Sequence, residues 1–151
     1  MNNTKQKIYL AGPFFNEMER KIIEEIAKIL RTKYEVFVPM EHFIAGGEKM
    51  ENHKWGKAVF DIDVEGINNA DFAVIIDHGF TSDAGTAWEA GYIYACRKPA
   101  YIVSVAEGQN PIHSIMMLNG CTKFFKGFGD CWKHLCGEEI PEYYTLGIEA
   151  K

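Results

Sequence analysis

Two carboxylates in this sequence stand where an ordinary soluble domain has little use for them. From Trp55 to Ala70 the apolar residues recur at helical spacing. At about 100° per residue, Trp55, Gly56, Val59, Phe60, Ile62, Gly66, Ile67 and Ala70 fall within one arc of about 160°. Asp63 falls inside that apolar arc, while Lys57, Asp61, Glu65 and Asn68 lie opposite. A buried carboxylate costs on the order of several kcal/mol unless it is paired or kept neutral. The bland alternative is an Asp63 that bonds a backbone amide at the edge of the core. The second carboxylate is Glu89, the only charge between Ala84 and Cys96. Helical side chains lean toward the N-terminus, so Glu89 leans over Gly85 and Thr86, small residues that leave room for a ligand. Asp83 opens the same helix, and N-capping alone would explain it. Carboxylates converging on one cleft suit chemistry at an anomeric carbon. One, ionised, attacks or stabilises the sugar; another, protonated, donates to the leaving group.

Such residues need a frame. Lys7–Gly12, Glu35–Pro39, Asp71–Asp77, Ala100–Val105 and Thr122–Phe125 read as strands. Between them, Phe15–Thr32, Trp55–Ala70 and Asp83–Arg97 read as helices, Pro111–Leu118 as a short helix or turn, and Phe128–Cys136 as a last helix. His42–His53 is a polar loop long enough to act as a lid. This alternation predicts a single α/β domain over residues 1–151, with a tail from about 137. The expected fold is flavodoxin-like or Rossmann-like: a five-stranded parallel sheet, order 2-1-3-4-5, with helices on both faces. Ligands of such sheets bind beyond the carboxyl ends of the strands, here at Gly12–Phe15, Met40–His53, Asp77–Asp83 and Ser104–Pro111.

Composition narrows the function. The chain has 151 residues, 47% hydrophobic and 25% charged, as an ordinary globular domain does. A net charge of −5 offers no basic field for a nucleic-acid polymer. No apolar run approaches the roughly 20 residues of a membrane helix, so no membrane partner is expected. The run Ile8–Phe15 behind Lys5 and Lys7 mimics a signal peptide weakly and reads better as a buried strand. Cys96, Cys121, Cys131 and Cys136 include no CxxC pair, and Cys131, His134 and Cys136 fit no familiar zinc pattern. Reduced, structural thiols in a cytoplasmic protein are expected. The loop Ala11-Gly12-Pro13-Phe14-Phe15 is neither GxGxxG nor a Walker loop and lacks the hydroxyls a flavin phosphate needs.

Three segments carry a resemblance: Ile8-Tyr9-Leu10-Ala11-Gly12-Pro13-Phe14-Phe15, Phe60-Asp61-Ile62-Asp63-Val64-Glu65-Gly66-Ile67, and Ser82-Asp83-Ala84-Gly85-Thr86-Ala87-Trp88-Glu89-Ala90-Gly91-Tyr92. In this order and spacing the chain resembles the nucleoside 2-deoxyribosyltransferase family from about Ile8 to Val105. The resemblance implies that Glu89 is the nucleophile, Tyr9 orients it and Asp63 is the acid/base. It implies that Asp83 binds the 5′-hydroxyl side of the sugar and Phe14 walls the base pocket, with Gly12 and Gly85 beside the substrate. From the strand alone, Tyr9 would read as a core tyrosine. Phe43 stands where some relatives carry a base-reading amide. An Asn that a neighbouring subunit donates in the family aligns near His113 or Ser114, and Tyr143 or Tyr144 could also cross between subunits.

The expected reaction moves a 2-deoxyribosyl group from a 2′-deoxynucleoside to a free nucleobase, through a covalent ester on Glu89, with no metal or organic cofactor. A homo-oligomer with sites at subunit interfaces is expected. The rival enzyme is a nucleoside or 5′-nucleotide N-hydrolase on the same fold. Its nucleotide form carries a Ser at the position of Asp83, and a carboxylate there would repel a phosphate. A non-catalytic nucleotide-sensing domain would have no need of Tyr9, Asp63, Asp83 and Glu89 together.

Overall fold

A computed structural model describes residues 4–80, 82–106 and 112–141. Five parallel strands form one sheet: β1 (Lys7–Ala11), β2 (Glu35–Phe37), β3 (Phe72–Asp77), β4 (Ala100–Ser104) and β5 (Lys123–Phe125). Their order is β2-β1-β3-β4-β5, as expected. The helices are α1 (Glu17–Leu30), α2 (Asn52–Asn69), α3 (Ala84–Ala95), α4 (Ile115–Gly120) and α5 (Phe128–Leu135).

Strand alternation splits the core into two layers. Ile8 and Leu10 face a layer with Ile23, Ile26 and Leu30 of α1 and Cys131 of α5. Tyr9 and Ala11 face the other layer, with Ile67 of α2, Ile93 of α3 and Met117 of α4. β3 is buried along its whole length, which suits a central strand covered on both faces. From β1 the chain first builds outward to β2, then returns to place β3 on the other side. That reversal opens a crevice at the carboxyl ends of β1 and β3, between α2 and α3.

Among the boundaries that differ from the sequence reading, the fourth helix runs over Ile115–Gly120 rather than Pro111–Leu118, and three others have a clear local cause. α1 starts at Glu17 because the Asn16 side chain accepts from Glu19 N at 2.9 Å, while Phe15 N donates to the Glu19 carboxylate at 2.7 Å. β2 stops at Phe37, since Pro39 begins a 3-10 turn over Pro39–Glu41. α2 begins at Asn52 rather than Trp55, and a second turn occupies Gly47–Lys49, so the expected loop is interrupted by a short turn and shortened at its end. Gly66 lets α2 lie close on the sheet: a Cβ there would meet the Phe37 ring at 2.7 Å. Among the described residues, no helix is long and apolar enough to cross a membrane.

Candidate active site

Asp63 and Glu89 line one cleft of about 250 Å³, together with Phe60, Val64, Ile67, Gly85 and Trp88. Asp63 enters from α2 and Glu89 from α3; Tyr9 lies beneath them, buried in β1. Aromatic contacts hold the two helices at this spacing. The Trp88 ring meets Phe60 edge-on at 5.2 Å and stacks on Tyr92 at 5.4 Å, and Tyr92 Oη donates to Asn68 Oδ1 at 2.9 Å. A larger groove of about 310 Å³ runs between α3 and α4, but no carboxylate or imidazole lines it. Of these two cavities, only the smaller is lined by carboxylates.

The electrostatics are those of acids held out of water. Burial raises Glu89 to about 8; the charges of Asp63 and Asp83 add to this, and the Tyr9 hydroxyl opposes it. Burial raises Asp63 to about 6, and His42 opposes that rise. Neither carboxylate has a lysine or arginine partner among the causes of its shift. The Tyr9 phenol is pushed above its ordinary value by burial and then by the negative charge of Glu89 and Asp63. Its hydroxyl is buried and makes no hydrogen bond of normal length among the described residues. It lies close enough to Glu89 that donating toward it favours the carboxylate.

Asp83 caps α3, with Oδ2 accepting from Thr86 N and Thr86 Oγ1, each at 2.8 Å. The bland reading of Asp83 is thus true as far as it goes. The cap uses Oδ2, and Asp83 still adds to the field that raises Glu89. Gly85 stands two residues on; a Cβ there would sit 3.3 Å from Asp83 Oδ2, so glycine keeps this side open. Gly12 is buried beyond the end of β1, where a Cβ would meet Ile76 Cβ at 3.0 Å. Phe14, partly exposed, stacks on Phe15 outside the lining of the cleft.

Two sequence expectations meet a different placement. Phe43 is 81% exposed and does not line the cleft. Its neighbour His42 stacks on Phe37 at 3.9 Å, and Phe37 stacks on Tyr9 at 5.4 Å. The turn over Pro39–Glu41 lays the exposed His42 ring against Phe37, and no local pattern in Met40-Glu41-His42-Phe43 announces it. His113 is 1% exposed and bound within its own chain, Nδ1 standing 2.6 Å from Asp77 Oδ2. It is not presented to the cleft surface. Tyr143 and Tyr144 lie outside the described residues. Trp88 and Phe60 were missed as site residues, although their helical phase beside Glu89 and Asp63 carried the signal. Among the described residues, no three His, Cys, Asp or Glu side chains gather as a metal ion would require.

Fold and cleft together define an α/β domain with two carboxylates facing one cleft. A family model described as nucleoside 2-deoxyribosyltransferase matches residues 8–138. A solved structure of the 2-deoxyribosyltransferase from the psychrotolerant bacterium Bacillus psychrosaccharolyticus is similar, with 31% identity and a TM-score of 0.69. The match covers 95% of this chain and 97% of that one. The crystal structure of a conserved protein from Enterococcus faecalis V583 shares the fold at 22% identity and a TM-score of 0.57, over 97% of this chain and 90% of that one. No curated protein matches the chain. The chain belongs to the nucleoside 2-deoxyribosyltransferase family and is an enzyme of that kind.

Proposed function

We propose that the enzyme transfers a 2-deoxyribosyl group between nucleobases by double displacement through Glu89. The observation that carries this reading is the shared cleft of Asp63 and Glu89, two acids raised by burial with no lysine or arginine among the groups that shift them. A Glu89 oxygen attacks C1′ of a 2′-deoxynucleoside. The C1′–N bond breaks, its electron pair goes to the base nitrogen, and Asp63 supplies the proton that the base takes away. A second base then attacks C1′, the C1′–O bond to Glu89 breaks, and Asp63 takes the proton of the incoming base. Two inversions give net retention. None of these steps requires a cofactor.

In the structure the higher pKa lies on Glu89 rather than on Asp63. One proton shared by two coupled acids moves with small changes in surroundings. The Tyr9 hydroxyl and the cationic sugar favour charge on Glu89, and a base nitrogen beside Asp63 favours a proton there. Substrate thus arms the pair. Asp83, at the mouth of the same helix, is assigned to the sugar's 5′-hydroxyl. Phe60 and Trp88 are the aromatic surfaces nearest the base or sugar.

The test is mass spectrometry after incubation with a slow 2′-fluoro donor, expected to show one adduct, on Glu89. An adduct on Asp63 or Asp83 would overturn the assignment. Incubating a deoxynucleoside with and without a free base separates transfer from hydrolysis: a new nucleoside supports transfer, and free sugar alone supports the N-hydrolase. Self-association is expected, because Tyr94, Ile115 and Met116 leave α3 and α4 with an exposed apolar surface. Light scattering that gives the monomer mass for the active enzyme would refute it. A cytoplasmic place in nucleoside salvage accords with the thiols of Cys96, Cys131 and Cys136.

A further inference from the structure

The mechanism above leaves one buried ionic cluster unused. Asp77 closes β3 with its side chain 2% exposed. Its Oδ1 accepts from Ser82 Oγ at 2.9 Å, and its Oδ2 faces His113 Nδ1 at 2.6 Å. Burial alone would raise this carboxyl, but the bonds from His113 and Ser82, with the amide of Gly79, hold it below its ordinary value. An ionised carboxylate only accepts, so Nδ1 of His113 carries the proton. The other ring nitrogen has no partner among the described residues, and the ring packs on Phe124 at 4.8 Å. Asp77 alone therefore fixes the polar orientation of His113.

The segment spanned by these bonds would not hold its shape unaided. Gly79 has φ +71° and Phe80 φ +55°, two successive left-handed residues of which one is bulky. Phe80 N also donates to Ile112 O at 2.6 Å, tying the same segment to the chain just before His113. Ser82, the residue Asp77 grips from below, immediately precedes Asp83.

We propose that the Asp77–His113 pair is a positioning device for the substrate site: it locks the strained β3–α3 connection so that Asp83 meets the 5′ end of the sugar. This inference rests on the assignment of Asp83 to the 5′-hydroxyl. Neither Asp77 nor His113 touches substrate; they act through Ser82 and the backbone of Gly79 and Phe80.

The test compares two donors, a 2′-deoxynucleoside and its 2′,5′-dideoxy analogue, with adenine or cytosine as base according to which the parent uses faster. His113→Leu removes the donor to Asp77. It should lower kcat/KM for the 2′-deoxynucleoside by about 10- to 100-fold, the scale of a misplaced contact, mostly through KM. The analogue, which has no 5′-hydroxyl to misplace, should lose less than about threefold. His113→Asn keeps a donor near the Nδ1 position and should restore most of the difference. Ser82→Ala removes one bond at a half-buried site and should show the same differential at smaller amplitude, which keeps the test open if His113→Leu does not fold. Equal losses on both donors, in a parent that does discriminate between them, would overturn the positioning role alone. A parent that uses both donors equally well would overturn the Asp83 assignment, and this inference with it.

Discussion

The carboxylates of this molecule are buried at two places under opposite terms. At the end of β3, Asp77 is almost fully enclosed, accepts from His113, Ser82 and Gly79, and sits below its ordinary pKa. In the cleft between α2 and α3, Asp63 and Glu89 are only partly buried, yet they sit at about 6 and about 8. Burial penalises charge in both places. The difference is partners: Asp77 has a complete set of donors, whereas the cleft acids have a tyrosine hydroxyl, a stacked histidine and each other. A carboxylate with a full set of donors stays ionised although buried, while one without them keeps a raised pKa.

The largest effect should come from Glu89. Glu89→Gln should cost transfer at least about 10³-fold, as loss of a covalent nucleophile does. The same change should stabilise the fold at alkaline pH. Glu89 is raised in the folded state, so the folded protein binds more protons than the unfolded chain, and stability falls as pH rises between the unfolded value near 4.5 and about 8. Removing the charge should recover on the order of 2–4 kcal/mol above pH 8, seen as a rise in Tm of several degrees that fades toward pH 4. Asp77 runs in the opposite sense. Its depressed pKa contributes stability above about pH 4, lost as pH falls, and His113→Leu should lower Tm at neutral pH. Parallel melting curves of the two variants from pH 4 to 9 would break the comparison if both moved alike.

Asp63→Asn should follow, losing about 10²- to 10⁴-fold with natural donors and much less with donors whose base leaves unprotonated. Equal losses on both kinds of donor would make Asp63 structural. Next comes Asp83. A 5′-monophosphate would set like charges about 4 Å apart, which costs on the order of 4 kcal/mol at an effective dielectric of 20. Deoxynucleosides should therefore exceed their monophosphates in kcat/KM by up to nearly a thousandfold, and Asp83→Ser should narrow the ratio. A parent enzyme that prefers the monophosphate would favour the N-hydrolase reading. The smallest effect is expected from Tyr9→Phe. Without the hydroxyl, Glu89 loses the contact that favours its charge, so the limb of the pH–rate profile that reports its ionisation should move to higher pH. An unmoved limb would make Tyr9 a core residue only.

Much of this was written in local pattern. Alternating apolar runs and helical periodicity specify the order of elements, and the parallel sheet follows from connection rules. Asp63 was legible because a charge inside an apolar arc violates the helical period, and Glu89 because it is alone on its helix. Tyr9 was not, because a strand tyrosine reads the same whether or not its hydroxyl faces an acid. Period-two alternation places it on the α2/α3 face, but which helices cover that face is a tertiary outcome. His42 and His113 carried no local signal. A 3-10 turn over Pro39–Glu41 lays the still-exposed His42 ring against Phe37 and leaves Phe43 in solvent, and His113 meets Asp77 across 36 residues of chain. Sequence spacing can say which residues share one element's face. The pairing of charges between elements, and hence which buried acid is satisfied and which is left reactive, depends on distances that exist only once the sheet has closed.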